Sequence, residues 1–392
     1  MKEIFCPLQK ASKNSPEKIA IISGSLQLTY EQIDKSVQAI SQYLKSINIT
    51  AQTKVAVYAT NSPSYIILLL ALWRNHAMAC LLNTRIPCEG AIAQFKELQC
   101  SHIFTDQPQN FDAVVNPKYI VNLEEMISFK SIVTDKLNSE DTKYLLDQDA
   151  VIMYTSGSTG KPKAAILTYG NLWTNALGSN EFLSFSKDDA WLLSLPLYHV
   201  GGLSIVFRFL LAQGKLVIPT ENENLDESIL RYEMVTHLSL VSTQLYRLLQ
   251  KKEVSLRLAR YKVLLLGGGP VQQALLEQAR EYQLPIYITY GLTEAASQVA
   301  TSKKIKNSEE QKAKILSFQK VKISSAKEIL IQGECVFKGY WENGKLNSSR
   351  DEAGWYKTGD IGEIVEEEYL KVIGRKDNMF ISGGENIQPE EI

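Results

Sequence analysis

Tyr154-Thr-Ser-Gly-Ser-Thr-Gly-Lys-Pro-Lys163 follows the apolar run Ala150-Val-Ile-Met153, which reads as a strand running into a loop. Two glycines, four hydroxyl side chains and two lysines fall within nine positions, Thr155 to Lys163. Glycine lets backbone N–H groups turn inward and approach an anion closely. The hydroxyls of Thr155, Ser156, Ser158 and Thr159 are donors for phosphate oxygens, and Lys161 and Lys163 neutralise them. The spacing is not that of a Walker A loop, which needs a longer gap between its glycines and a Ser or Thr after the Lys. Here two residues separate Gly157 from Gly160, and Pro162 follows Lys161. Composition leaves two readings open, a phosphate-handling loop and a flexible Gly/Ser turn.

The chain of 392 residues is long enough for two or more domains with substantial cores. Hydrophobic residues make up 45% and charged residues 22%, the balance of an ordinary globular protein. A net charge of -1 supplies no global field for nucleic acid or an anionic membrane. The five cysteines (Cys6, Cys80, Cys88, Cys100, Cys335) form no CxxC pair and no Cys/His cluster. Neither a zinc site nor a disulfide framework is expected, and a reduced, cytoplasmic compartment is. The N-terminus carries Glu3 and no long apolar core, so it does not read as a signal peptide. The most apolar run, Tyr65 to Trp73, is too short to span a bilayer and reads as a buried helix.

Along the first 105 residues, strands alternate with helices. Ile19–Ile22 and Leu26–Thr29 flank a Ser-Gly-Ser turn, and Thr29 is placed to cap a helix over Glu31–Leu44. A strand over Lys54–Tyr58, a helix opened by Asn61-Ser-Pro63, a strand over Ala79–Leu82, a helix over Glu89–Leu98 and a strand over His102–Thr105 follow. Residues 107–148 are weakly patterned and read as a peripheral connection. After the Gly/Ser loop, Thr168 starts a helix, and a second alternating series runs through strands at Trp191–Leu195, Lys215–Ile218, His237–Leu240, Lys262–Leu266 and Ile286–Thr289. This alternation predicts an α/β fold with two doubly wound sheets. The pattern then turns to short strands at Ile329–Ile331, Cys335–Phe337, Ile361–Val365 and Leu370–Ile373, a small β subdomain over about 316–376 after α/β subdomains over about 1–315. Residues 302–314 read as an exposed Lys/Glu-rich loop.

Four more clusters sit at strand ends, where open α/β sheets bind ligands. Leu264-Leu-Leu-Gly-Gly-Gly-Pro270 is a tight turn or a backbone wall for a flat ring. Tyr290-Gly-Leu-Thr-Glu294 offers an aromatic face, the Thr293 hydroxyl and a carboxylate suited to Mg2+, or equally a capped helix start. Asp360, in Gly354-Trp-Tyr-Lys-Thr-Gly-Asp360, is either an Asx turn or an acceptor for ribose hydroxyls. Gly374-Arg-Lys-Asp-Asn-Met-Phe-Ile-Ser-Gly-Gly-Glu-Asn386 suits a hinge.

With these five segments in order, the chain resembles the adenylate-forming superfamily of acyl-CoA synthetases, luciferases and peptide-synthetase adenylation domains. The likeness runs from Leu28-Thr-Tyr30 to the last residue. It implies a large N-terminal domain over 1–376 and, over 377–392, a hinge with a stub of a C-terminal lid. It also implies that ATP, Mg2+ and CoA are used, and that a carboxylic acid is converted to an acyl adenylate and then a thioester. By matching positions, Thr155, Ser156, Gly157, Ser158, Thr159, Gly160, Lys161 and Lys163 would hold the ATP phosphates. Gly267, Gly268, Gly269, Tyr290, Gly291 and Thr293 would form the adenine side. Asp360 would take the ribose, and Arg375 the ribose and α-phosphate. Glu294 and Thr155 would serve the metal, Asp377 the hinge, and Gly383 and Gly384 the thiol tunnel. Lys161, His199 and Glu294 are the implied catalytic groups, His199 lying next to the substrate carboxylate.

The acid is addressed by Pro196-Leu-Tyr-His-Val-Gly-Gly-Leu-Ser-Ile-Val-Phe-Arg208. Arg208 interrupts the apolar run Leu203–Leu211, and a buried guanidinium needs an anionic partner. That partner is either an internal Asp or Glu or a second carboxylate on the substrate. The segments around His199–Arg208, Tyr290–Gln298, Gly339–Gly344 and Ser382–Glu391 resemble the o-succinylbenzoate–CoA ligases of menaquinone biosynthesis. In that family's terms Arg208 would hold the aromatic carboxylate, and Ser297 or Gln298 would line the pocket. The alternatives are another aryl- or acyl-CoA ligase, and a lid-less nucleotide-binding protein. The superfamily's C-terminal domain has roughly a hundred residues, whereas this sequence ends about fifteen residues past Asp377. Without the lysine that domain contributes, weak adenylation and impaired thioester formation are expected. A homodimer is the default expectation for its assembly.

Overall fold

The computed structural model describes residues 2–111, 116, 120–123, 141–155, 162–305, 312–378, 380–382 and 385–387. Among them, an eight-stranded and a thirteen-stranded sheet carry most of the strands. In the smaller sheet Asp149–Thr155, Met78–Leu81, Lys54–Tyr58, His102–Thr105 and Ile120–Asn122 run parallel. Lys163–Thr168, Gly339–Glu342 and Lys345–Asn347 extend its other edge in antiparallel fashion. In the larger sheet Ile286–Leu292, Val263–Leu266, His237–Leu240, Ala190–Leu192, Lys215–Val217 and Ile19–Ser23 are parallel.

Strand alternation sorts the side chains into layers, because successive residues face opposite sides of a sheet. In the smaller sheet Val55, Val57, Ala79, Leu81, Val151 and Met153 face the central core, while Ala56, Tyr58, Met78, Cys80 and Ile152 face an outer one. In the larger sheet Trp191, Leu216, Val263 and Leu265 face the centre, while Leu192, Val217, Leu264 and Leu266 face the outside. Helices fill the space between the sheets. Pro63–Arg74 is buried at every position from Ser64 to Arg74, as a helix apolar on all sides must be. Tyr169–Leu183 and Val200–Ala212 pack in the same central core. Among the described residues no helix is long and apolar enough to cross a membrane.

Local signals explain the helix starts. Thr29 and Gln32 form a capping box, Ser62 accepts from the Tyr65 N–H ahead of Pro63, and Thr168 forms a second box with Asn171. Several expectations need correction. Thr168 caps the helix after the Gly/Ser loop as expected, but an unread strand comes between: Lys163–Thr168 returns antiparallel to Asp149–Thr155, so the loop joins a hairpin. Tyr290, Gly291 and Leu292 belong to the strand Ile286–Leu292, and Leu292 rather than Thr293 precedes the turn Thr293–Ala295. Cys335–Phe337 is not a strand; its residues are buried in a turn, so their apolarity reflects packing rather than extension. Within the weakly patterned connection, Lys143–Leu145 pairs with Glu3–Phe5. The other three strands expected beyond residue 316 are present within Glu328–Gly333, Tyr356–Val365 and Tyr369–Arg375, and they continue the larger sheet.

Asn171 ties these parts together. Its side chain accepts from the Thr168 N–H at 2.8 Å and donates to the carbonyls of Glu334 (2.7 Å) and Val336 (3.0 Å). Asn171→Ala leaves buried backbone groups unpaired, and we expect it to lower stability by roughly 1–3 kcal/mol, read as a lower urea midpoint.

Candidate active site

The carboxyl ends of the parallel strands of both sheets open onto one cavity of about 1070 Å³. Thr155 and Lys163, the described ends of the hairpin loop, lie on its wall, and the Lys163 ammonium sits 5.3 Å from the centre of the Tyr340 ring. The intervening residues expected at the phosphates, Ser156, Gly157, Ser158, Thr159, Gly160 and Lys161, fall outside the described residues, as do Gly383 and Gly384. Gly267 and Gly268 form another wall. A Cβ on Gly267 would come within 2.7 Å of the Thr289 methyl, and Gly268 has φ +87°, so bare backbone faces the cavity there. Gly269 does not line the cavity.

Gly291, Thr293, Glu294, Ser297 and Gln298 reach the cavity from one bend of the larger sheet. Ala296 (φ 56°) and Ser297 (φ 120°) hold backbone angles that non-glycine residues rarely adopt. The bend closes because Gly291 has no side chain; a Cβ there would overlap the Ser297 carbonyl. Glu294 is buried, and Oε1 accepts from the Tyr340 hydroxyl at 2.6 Å. Among the described residues no cation pairs with it, and no group of three or more His, Cys, Asp or Glu is assembled as a metal cage. That donor set fits Mg2+ held by one or two protein oxygens, with the rest of its shell from phosphates and water.

Tyr290 and Asp360 stand behind the wall. The Tyr290 hydroxyl donates to Asp360 Oδ2 at 2.6 Å, and Arg375 pairs with Oδ1 at 3.0 Å. Burial raises the Asp360 carboxyl above its ordinary value, while Tyr290 and Arg375 pull it back down. Arg375 also reaches Asp377 at 3.3 Å, and both of these line the cavity.

Arg208 is 1% exposed on the helix Val200–Ala212, and it also lines the cavity. It donates to Gln298 Oε1 at 2.8 Å and lies 4.9 Å from the Trp191 ring centre, and its Nε is unpartnered. No acid pairs with it among the described residues, and burial pushes the guanidinium down to about 9. Gln298 is held by donating to Thr301 at 2.8 Å, so its oxygen is aimed at Arg208.

The AMP-binding enzyme family model matches residues 8–341. The chain belongs to that family. It is similar to the 2-succinylbenzoate–CoA ligase of Bacillus cereus, 33% identical over 396 residues that cover 96% of this chain and 79% of the relative. The enzyme of the same name from Bacillus anthracis is 32% identical, with the same coverage of both chains. Among solved structures, o-succinylbenzoate CoA synthetase from Bacillus subtilis in complex with the acyl-adenylate OSB-AMP matches with a TM-score of 0.86 and 29% identity, covering 100% of this chain and 82% of that one. The same enzyme in complex with ATP and magnesium ion matches with a TM-score of 0.86 and 28% identity, covering 100% and 83%.

Within this family frame the sequence reading missed Tyr340 and Tyr356, which line the same cavity. The only signal for Tyr340 was its place in Gly339-Tyr-Trp-Glu-Asn-Gly344. His199 caps no backbone group with its side chain; it lines the cavity beside Tyr198. Burial first, and Arg85 second, lower its imidazole from the ordinary 6.5, so it is neutral at pH 7. The unfolded chain therefore binds the proton first as pH falls. The neutral ring's contribution to stability is complete above 6.5 and is lost as pH drops through the lower folded value. Replacing His199 with Gln is expected to reduce the slope of the stability curve below pH 6.5, measured by thermal unfolding.

Proposed function

We propose that this chain is an AMP-forming acid–CoA ligase that activates o-succinylbenzoate. The observation that carries the choice of acid is Arg208, a buried cation on the cavity wall with no acidic partner among the described residues. A substrate with two carboxylates satisfies it. One carboxylate stays bound at Arg208 and Gln298 while the other reacts. The similarity to 2-succinylbenzoate–CoA ligases supports the same acid.

ATP lies with its base against the bare backbone of Gly267 and Gly268, its ribose toward Asp360 and its phosphates between Thr155 and Lys163. The acid's carboxylate oxygen attacks the α-phosphorus. A P–O bond forms, the bond to the β-phosphate bridge breaks, and pyrophosphate leaves. A CoA thiolate then attacks the acyl carbon and AMP leaves. Charge spreads over phosphate oxygens in the first step, so Lys163 and the loop donors act on the transition state. Glu294 and Thr155 would hold Mg2+, which supplies further neutralisation of the pyrophosphate when bound. The neutral His199 packs against the attacking carboxylate without pairing with it, which leaves the nucleophile's charge available. Arg375 and Asp377 close the ribose end, where a hinge would let the chain rearrange between the two steps.

Pyrophosphate release across a panel of acids tests this reading. O-succinylbenzoate is expected to outpace benzoate and medium-chain fatty acids, and equal rates would sink the assignment. Arg208→Met is expected to raise KM for o-succinylbenzoate on the order of a hundredfold, from the loss of a buried charge pair. The same change relieves an unpaired buried charge, so the ligand-free variant is expected to unfold at no lower temperature than the parent. A drop in stability with unchanged KM would assign Arg208 a structural role instead.

A further inference from the structure

We infer that Tyr340 is a positioning residue of the reaction, fixing Glu294 through its hydroxyl and Lys163 through its ring. The inference rests on the proposed Mg2+–ATP reading and names a group that this reading does not use.

Tyr340 lies on Gly339–Glu342, at the antiparallel edge of the smaller sheet. Its direct neighbour across the pair is Ala165. Lys163, two residues from Ala165, therefore projects from the same face, and its ammonium sits 5.3 Å from the Tyr340 ring centre. Glu294 arrives from the other sheet, on the turn Thr293–Ala295. The Tyr340 hydroxyl meets Oε1 of Glu294 at 2.6 Å and the Tyr356 hydroxyl at 2.9 Å. A phenol has one proton to give. Tyr340 gives it to the carboxylate, so Tyr356 must donate to Tyr340. Phe337 packs edge-on against both rings, at 4.8 and 5.1 Å, and keeps them in place.

The consequence is geometric. Oε1 is held by a neutral donor, and among the described residues Oε2 receives no hydrogen bond. The carboxylate thus presents one fixed oxygen to a cation, while the cation-binding face of the same tyrosine holds the phosphate-side lysine. Partners that orient metal ligands change metal affinity about 10–100-fold when removed.

The test measures ATP affinity with Mg2+ and with EDTA, together with the Mg2+ dependence of pyrophosphate release, on the whole chain. Tyr340→Phe keeps the ring and loses the proton. It is expected to leave metal-free ATP affinity and the acid's KM unchanged, and to raise the Mg2+ needed for half-maximal release at least tenfold. Tyr340→Leu removes the ring too, and is expected also to weaken metal-free ATP binding roughly twofold to fivefold. Tyr356→Phe is expected to show a smaller version of the Tyr340→Phe shift. A Tyr340→Phe enzyme with the parent's Mg2+ curve overturns the inference, as does an equal loss with and without metal. If Tyr340→Phe does not fold, Tyr356→Phe decides, its Mg2+ midpoint either moving or staying. Parent chain whose ATP affinity ignores Mg2+ would overturn the underlying reading itself. Mg2+-dependent parent binding with unmoved variants overturns the inference alone.

Discussion

A helix that is apolar on every side has to be covered on every side, and this chain places such helices between two sheets. Pro63–Arg74 is buried almost throughout, and Val200–Ala212 is buried from Gly202 to Leu210. Neither can lie on a surface without exposing most of its area to water, at about 25 cal/mol per Å². Each sheet therefore turns one row of side chains toward this layer and the alternate row outward. The strand ends of both sheets are brought to one side of the layer, and the cavity forms where they meet. The site is a consequence of covering the helices.

The same layer explains why Arg208 is informative. Leu203, Ile205, Val206, Phe207 and Phe209 around it are buried in the central core, so its charge gets no help from water. Gln298 and the Trp191 face provide dipole and quadrupole, which leave a full positive charge uncompensated. Replacing an unpaired buried charge by an apolar side chain favours the folded state. A chain that keeps the charge keeps it at the expense of stability, a cost that the second carboxylate proposed above would offset. On the proposed reading, an acid lacking the second carboxylate would leave the guanidinium buried and unpaired, which is a strong basis for selectivity.

Much of this was readable from sequence, and the failures share a cause. Caps at Thr29, Ser62 and Thr168 and the alternating strand runs are local signals, and the structure has helices and parallel strands where they point. The antiparallel additions were harder. Ser297–Ser302 is buried at all six positions, yet it reads Ser-Gln-Val-Ala-Thr-Ser and shows no apolar alternation. Its polar groups are paid for by neighbours distant in sequence, such as Arg208 on Gln298 across 90 residues. Cys335–Phe337 erred the other way, because packing under Asn171 makes a turn as apolar as a strand. At the site, Glu294 and Arg208 stood out by their charge in an unusual setting. Tyr340 did not, since an aromatic after a glycine in a strand is ordinary until the other sheet brings Glu294 within 2.6 Å of it.

Two buried carboxylates, Asp360 behind the cavity wall and Glu294 on it, are met by different partners, and the difference fits the ligands proposed for each. Asp360 is met by a cation, Arg375, as well as by the Tyr290 hydroxyl. A ribose offers neutral hydroxyl donors, which a carboxylate can accept while it remains paired with a guanidinium, because each oxygen has more than one lone pair. Among the described residues, the Glu294 side chain is met by a hydroxyl only. A Lys or Arg in the place of Tyr340 would fix the carboxylate equally well, but it would neutralise the charge that a divalent cation needs and repel that cation by roughly 4 kcal/mol at 4 Å, for one unit charge in a partly screened site. A phenol orients the oxygen without opposing the metal. The hydrogen-bond chain from Tyr356 through Tyr340 to Glu294 also crosses from one sheet to the other, so the bonds that set this carboxylate's direction are among those that hold the two sheets in register at the site.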